Sequence, residues 1–117
     1  MLSLSTSTRI FIAIDATDMR KGFDGLCGLV SSKLQQDPLS GALFLFVNRR
    51  RDRLKILYWD GDGLAIWYRR LEQGTFQLPS CEQEATAVQI KSDELTMLLR
   101  GIDYTNVKRR KRFNLAS

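Results

Sequence analysis

The sequence of 117 residues contains no histidine, two cysteines and two prolines. Without histidine, a Ser-His-Asp triad, a Cys-His pair and a Cys₂His₂ zinc site are all excluded. Cys27 and Cys81 are more typical of reduced thiols in a cytosolic protein than of a disulfide framework. Few prolines and glycines, with 44% hydrophobic residues, indicate a folded chain rather than a disordered or fibrous one.

The chain also lacks an apolar run near the roughly 20 residues that span a bilayer. Its first ten residues (MLSLSTSTRI) do not have the basic end, apolar block and cleavage site of a signal peptide. We therefore expect a cytoplasmic protein with no membrane partner. Its length predicts one globular domain over residues 1–107, with residues 1–8 mobile.

Positive charge is concentrated near the C-terminus. The formal net charge of +5 equals the contribution of five consecutive cations, and thirteen charges of each sign remain elsewhere. Such a run repels itself, so residues 108–117 are predicted to form a disordered tail. We expect the tail to bind phosphates by counterion release, with solubility as its alternative role. The five cations are Lys108, Arg109, Arg110, Lys111 and Arg112.

The hydrophobic pattern predicts an α+β fold, with a mostly antiparallel sheet of about five strands and two helices. The predicted strands are residues 9–15, 42–47, 54–59, 64–71 and 86–90, with 75–78 as a further short candidate. The first predicted helix runs from an N-cap at Asp24 to about Gln36 and buries Leu26, Leu29, Val30 and Leu34. The second runs from Ser92 or Asp93 to Arg100, with Ser92 as its cap and Gly101 as its stop.

A hairpin is predicted at residues 60–63 (DGDG), because Gly and Asp tolerate the positive φ of a tight turn. A two-residue and a four-residue loop both set Trp59 opposite Leu64. In this register Trp59 and Trp67 lie on opposite faces of the sheet. We expect the two rings to differ in exposure, because a sheet with few helices leaves one face partly open.

Acidic residues provide no convincing metal or catalytic site. A two-magnesium site could be drawn from Asp15, Asp60, Asp62 and Glu94. However, the turn already accounts for Asp60 and Asp62, and the start of a helix accounts for Glu94. We therefore predict no catalytic residue, no metal site and no cofactor.

Basic residues are the stronger candidates for a binding site. Arg20 and Lys21 precede a predicted helix, whose N-terminus favours an anion, although an ordinary loop explains them equally simply. A further set lies between and along the strands, interleaved with Trp67 and Tyr68, as in surfaces that follow a nucleic-acid backbone. A solvated hairpin tip and aromatic core packing are the alternatives. This set is Arg49, Arg50, Arg51, Arg53, Arg69 and Arg70.

Four segments, which span most of residues 9–104 in order, resemble one known family. They are TDMRKGFDGL (17–26), DPLSGALFLF (37–46), RLKILYWDGDGLAIWYRRLEQGTF (53–76) and LTMLLRGIDY (95–104). Together they resemble the accessory protein from the second open reading frame of insertion-sequence sixty-six elements, a TnpB type distinct from the RNA-guided nuclease. Two departures are Leu78-Pro79, where members often carry Trp-Pro, and the unusually basic tail.

The resemblance implies a bacterial transposition accessory protein, encoded beside a separate transposase that carries the catalytic acids. It carries over no catalytic residue, so we expect no enzymatic activity. The basic loop and tail favour DNA as the partner. The alternative is a protein-interaction module that binds the element's transposase without contacting DNA.

Overall fold

The computed structural model describes residues 5–80 and 84–100, in which five strands form one sheet with two helices. The elements are β1 (Ile10–Ala13), α1 (Phe23–Ser32), β2 (Leu43–Val47), β3 (Arg53–Trp59), β4 (Leu64–Arg70), β5 (Ala87–Ile90) and α2 (Ser92–Leu99). The strand order is β4-β3-β2-β1-β5. Only β1 and β2 pair in parallel within this sheet, so the predicted α+β fold with a mostly antiparallel sheet is confirmed.

Each face of the sheet has its own core, because successive strand residues point to opposite faces. β2 lies near the centre of the sheet and is buried at every position, as its unbroken apolar sequence predicts. One core, the α2-face core, contains Ile10, Ile12, Leu43, Leu45, Val47, Leu54, Ile56, Phe76, Ile90, Leu95 and Leu98. The other, the α1-face core, contains Ala13, Leu26, Val30, Leu34, Ala42, Phe44, Phe46 and Leu57.

The β1–α1–β2 unit determines where the loops of the molecule meet. β1 and β2 are parallel neighbours, in register from Ile10 opposite Leu43 to Ile12 opposite Leu45. Parallel neighbours need a crossover connection, and α1 provides it on one face of the sheet. Both strands therefore end at the same edge, which brings the loops that follow them together.

The β3–β4 hairpin has the register expected from the sequence, including Trp59 opposite Leu64 and Ile56 opposite Trp67. The loop has four residues: the Asp60 N–H donates to the Gly63 carbonyl at 3.0 Å, and Gly61 has a φ of 103°. The two tryptophans lie on opposite faces, as predicted. Both rings are partly buried, and the expected difference in their exposure stays a prediction.

The predicted limits of α1 were wrong at both ends. Asp24 lies in the first turn, and the N-cap is Gly22, which has an extended backbone and no side chain to bond. The helix ends at Ser32 because Gln35 adopts a left-handed conformation with a φ of 53°, ahead of Pro38.

Two further expectations need correction. Ser92 is the first residue of α2 rather than its cap; Lys91 precedes the helix, and its N–H donates to the Glu94 carboxylate at 3.0 Å. Residues 75–78 do not form a strand, although Phe76 is fully buried. The predicted stop at Gly101 lies outside the described residues. Neither helix in the described ranges has the length and apolarity that crossing a bilayer requires.

Candidate nucleic-acid interface

A cleft of about 530 Å³ opens at the edge where β1 and β2 end. One wall is the loop after β1 (residues 14–22, the β1 loop), and the other is the loop after β2 (residues 48–52, the β2 loop), continued by the start of β3. Open sheets commonly bind ligands just outside the carboxyl ends of parallel strands. The lining residues of this carboxyl-edge cleft are Ala16, Thr17, Asp18, Met19, Asn48, Arg49, Arg50, Asp52 and Arg53.

Asn48 organises the β2 loop. Its Oδ1 accepts the backbone N–H groups of Asp52 and Arg53, both at 3.0 Å. Its Nδ2 donates to Asp52 Oδ1 at 2.7 Å. This bond lowers the pKa of the Asp52 carboxyl, because it stabilises the charged form. Asp52 is therefore an anion at neutral pH, on the same wall as the arginines.

Arg51 occupies the tightest position of that loop, with a φ of 59°. A left-handed backbone costs a non-glycine residue about 1–2 kcal/mol, so the surroundings must hold it in place. They do so through two hydrogen bonds: the Arg51 N–H donates to the Asn48 carbonyl at 3.0 Å, and the Arg51 carbonyl accepts the Phe76 N–H at 2.7 Å. The buried Phe76 ring thus anchors the tip of the basic loop.

The β1 loop is attached to β2 and carries an ion pair. The N–H of Thr17, which is buried, donates to the Val47 carbonyl at 2.9 Å. The Arg20 guanidinium bonds to the Asp18 carboxylate through Nε and Nη2, at 2.6 Å for the shortest contact. These bonds lower the pKa of Asp18 to about 2. The Arg20 side chain nevertheless remains 91% exposed, so part of its guanidinium faces solvent.

Lys55 fastens the β1 loop to the sheet, a role that sequence reasoning missed. Its Nζ donates to the carbonyls of Met19 at 2.7 Å and Lys21 at 2.9 Å. The same ammonium lies 5.0 Å from the centre of the Tyr68 ring. The alternation of β3 contained a signal, because it puts Lys55 on the same covered face as Leu57. A cation on a covered face needs partners.

The structure brings only some of the predicted basic residues together. Arg49, Arg50 and Arg53 line the cleft, and Arg20 reaches its wall through Asp18. Arg51 is exposed at the tip of the same loop.

Two other predicted residues lie beside the cleft. Lys21 lines a second cavity, of about 260 Å³, between the β1 loop and α1. Arg70 is opposite Arg53 in the ladder and so shares its face, but its guanidinium bonds to Glu72 at 3.0 Å.

Arg69 lies on the other face of the sheet from Arg70. Its guanidinium is 4.8 Å from the centre of the Trp67 ring, and its Nη1 donates to the Leu99 carbonyl at 3.0 Å. A cation at the C-terminus of a helix satisfies a carbonyl that has no partner within the helix. The structure therefore gives Arg69 a place in holding α2. The tail residues Lys108, Arg109, Arg110, Lys111 and Arg112 lie outside the described residues.

The chemistry at the cleft is that of anion binding. Three arginines line it (Arg49, Arg50 and Arg53), a fourth, Arg20, is paired to Asp18 on its wall, and the carboxylates of Asp18 and Asp52 oppose them in charge. Guanidinium groups suit phosphate because their planar fork donates two parallel hydrogen bonds. In the described ranges, no three His, Cys, Asp or Glu side chains are grouped as a metal site would require. Burial raises the pKa of the partly buried Cys27 thiol, which disfavours the reactive thiolate.

An arginine-lined cleft at a sheet edge suits a protein that binds anionic ligands, and comparison with known proteins identifies the family. The chain belongs to the family described as IS66 Orf2 like protein, whose profile matches residues 8–109. This membership indicates an accessory rather than a catalytic role in transposition. The resemblance noted in the sequence is thereby confirmed.

Two relatives come from Sinorhizobium fredii strain NBRC 101917 / NGR234. The chain is 38% identical over 110 residues to uncharacterized protein y4jC, an alignment that covers 94% of this chain and 92% of the relative. It is 40% identical over 104 residues to uncharacterized protein y4hO, with 89% of each chain covered. No solved structure matches this chain.

Proposed function

We propose that this protein is a non-catalytic accessory factor of insertion-sequence transposition that binds DNA through the carboxyl-edge cleft and the basic tail. The observation that carries the proposal is the grouping of Arg49, Arg50 and Arg53 along one cleft, with Arg20 paired to Asp18 on its wall. The family supports the transposition role. The five consecutive cations of residues 108–112 favour a polyanion such as DNA as the ligand.

The proposed contacts are to phosphates rather than bases. Arginines in exposed loops reach a DNA backbone readily, and such contacts position a protein without reading sequence. Neither described helix is assigned to a DNA groove in this proposal. Binding should therefore be similar for unrelated duplexes and should weaken steeply as salt rises.

The test is the salt dependence of affinity for duplexes of unrelated sequence, measured by fluorescence anisotropy. Removal of one cation that neutralises a phosphate should reduce the log–log slope by about 0.9, so Arg49→Ala with Arg50→Ala should reduce it by up to about 1.8. Deletion of residues 108–117 should reduce it by up to about 4.5, since it takes away five cations.

The matched control removes two exposed cations from the end of the strands that lies away from the cleft, where Arg9 precedes β1 and Lys91 follows β5. Arg9→Ala with Lys91→Ala changes the net charge by the same amount as the loop variant. This variant should keep the slope of the original protein. If the loop variant and the tail deletion also leave affinity and slope unchanged, the basic segments do not bind DNA.

The element's transposase is the second proposed partner, and it becomes the first if DNA binding fails. Among the described residues, three large apolar side chains are about half exposed and are the candidates for a protein contact: Phe23 (47%), Leu39 (52%) and Tyr68 (48%). A pull-down of purified transposase after nuclease treatment tests the contact without DNA. Loss of the captured transposase after Phe23→Ser and Leu39→Ser would support this contact, whereas no capture by the original protein would refute it.

A further inference from the structure

β4 is an edge strand whose outer side has no described backbone partner. The Asp60 N–H donates to the Gly63 carbonyl, and the Leu71 N–H donates to the Asp52 carbonyl. Hydrogen-bonded and non-bonded pairs alternate along an antiparallel ladder. The two bonds therefore determine, for each residue between them, whether its backbone N–H and C=O point towards β3 or away from it. The backbone N–H and C=O groups of Leu64, Ile66 and Tyr68 point away from β3. Within the described chain, no backbone group outside β3 bonds to them.

Over its first five residues, this β4 edge lacks the features that normally prevent edge pairing. Natural edge strands carry prolines, inward charges or bulges, or they are very short. Residues 64–68 (LAIWY) contain no proline and no charge, and the strand pairs with β3 over seven consecutive positions without a bulge. β5, at the other edge of the sheet, has four residues. The longer edge is therefore the unprotected one.

The charges at the two ends of β4 indicate what would occupy this edge. The strand is preceded by Asp60 and Asp62 in the turn and finishes with Arg69 and Arg70. An antiparallel partner of the same sequence presents its basic end to the acidic turn, and its acidic turn to the basic end. Arg70 already bonds Glu72, but only through Nε and Nη2, which leaves Nη1 for a second carboxylate.

We infer that two copies of this chain pair β4 against β4, antiparallel, around a two-fold axis at Ile66. In this register Ile66 lies opposite Ile66 of the second copy, and Leu64 lies opposite Tyr68 of the second copy. Asp62 then lies beside Arg70 of the second copy. The pairing joins two five-stranded sheets into one continuous sheet. It also covers Tyr68, which is 48% exposed in the single chain.

Sedimentation equilibrium of the full chain tests the pairing, and the first variants use the self-facing position. Ile66→Lys and Ile66→Glu each put like charges directly opposite one another, so each variant alone should be monomeric. An equimolar mixture should form a heterodimer, because position 66 then pairs opposite charges. Gln89→Lys, on the β5 edge, is the matched control and should remain dimeric.

A second pair of variants covers the case in which a charge at the partly buried Ile66 unfolds the protein. Asp62 is exposed, so its reversal should not disturb the fold. Asp62→Arg and Arg70→Asp should each raise the dimer dissociation constant several-fold, and the double variant should restore it. Circular dichroism melting confirms that each variant is folded.

Two outcomes would overturn the inference. One is a monomeric mass for the original protein at every concentration. The other is a dimer that survives in the folded Ile66 variants and does not respond to the charge swap, because that dimer would use another surface. None of these measurements involves DNA, so the result is independent of the proposed function.

Discussion

At the scale of single residues, Asn48 holds together the β2 loop that forms one wall of the cleft. One side chain satisfies two backbone N–H groups and fixes the orientation of Asp52. Because a partly buried N–H left without a partner costs about 1–3 kcal/mol, Asn48→Ala should lower the free energy of unfolding by about that amount. Urea denaturation measures the change. Gln77→Ala is the control, because within residues 5–80 and 84–100 that side-chain amide bonds only to its neighbour Thr75, and it should cost less than about 0.5 kcal/mol.

The Asp18–Arg20 pair makes a prediction about pH. The folded-state pKa of Asp18 is lowered from 3.8 to about 2, chiefly by its hydrogen bonds to Arg20. A lowered carboxyl pKa means that the stabilisation is fully present above the unfolded value and is lost as pH falls towards the folded value. Stability from this pair should therefore disappear between about pH 4 and pH 2.

The direct measurement is the titration of the Asp18 carboxyl by NMR. Arg20→Gln should move its pKa from about 2 back towards 3.8. Lys21→Gln is a useful comparison, because Lys21 makes the smallest contribution to the shift and its removal should change the pKa much less. A carboxyl that titrates near its ordinary value in the original protein would show that the ion pair does not persist in solution.

At the scale of elements, the β1 loop depends on a residue from another strand. Lys55→Met removes two hydrogen bonds from a charged donor to the carbonyls of Met19 and Lys21, which should cost about 1–3 kcal/mol of stability. Hydrogen exchange at the Lys21 amide, which bonds Asp18 within the loop, should become faster. Lys55→Arg keeps a cation and hydrogen-bond donors at that position, so it should lower the stability less than Lys55→Met does. Unchanged exchange in Lys55→Met would mean that the loop holds its shape without the sheet.

The elements differ in how well their limits could be predicted. The register of the β3–β4 hairpin was predicted correctly at every pair, because the turn chemistry of residues 60–63 and the alternation of both strands specify the same register. The limits of the two strands were each wrong by one residue. The ends of α1 were predicted less well. Asp is a residue type preferred at N-caps, which made Asp24 the predicted cap. The N-cap is instead Gly22, whose backbone is extended, and Asp24 lies in the first turn. At the other end the helix stops at a left-handed Gln35, a residue type with no special preference for that conformation.

At the scale of the whole molecule, the sequence predicted the basic loop but not the cleft. The cleft exists because β1 and β2 are parallel, which brings residues 16–19 beside residues 48–53. The apolar pattern of a strand does not indicate whether it pairs in parallel or antiparallel with its neighbour. The proximity of these two loops therefore could not be predicted from the sequence of either loop. The opposite faces of Arg69 and Arg70, by contrast, follow from the alternation of β4 and were predicted correctly.

The charge distribution makes a prediction for the whole chain. Without residues 108–117, thirteen basic and thirteen acidic residues remain, so the formal net charge falls from +5 to zero. Isoelectric focusing should show a large drop from the calculated value of 9.6 towards neutrality. Solubility near pH 7 should fall as well, because a protein without net charge associates more readily. A deletion variant that focuses well above neutrality would indicate that buried or paired acids elsewhere are not ionised.

The bond between Arg69 and the Leu99 carbonyl has a consequence for avidity. It holds the end of α2 against β4, on the face of the sheet opposite to Arg53. From Arg100 to Lys108 the chain advances eight residues, which at full extension reach no more than about 29 Å. If a polyanion binds in the cleft as proposed, the tail cations are tethered to the same chain, and a tether of this length gives an effective concentration of about the millimolar range. The cleft and the tail would then act as one bivalent binder, whose affinity depends on the length of the tether as well as on the charge of the tail.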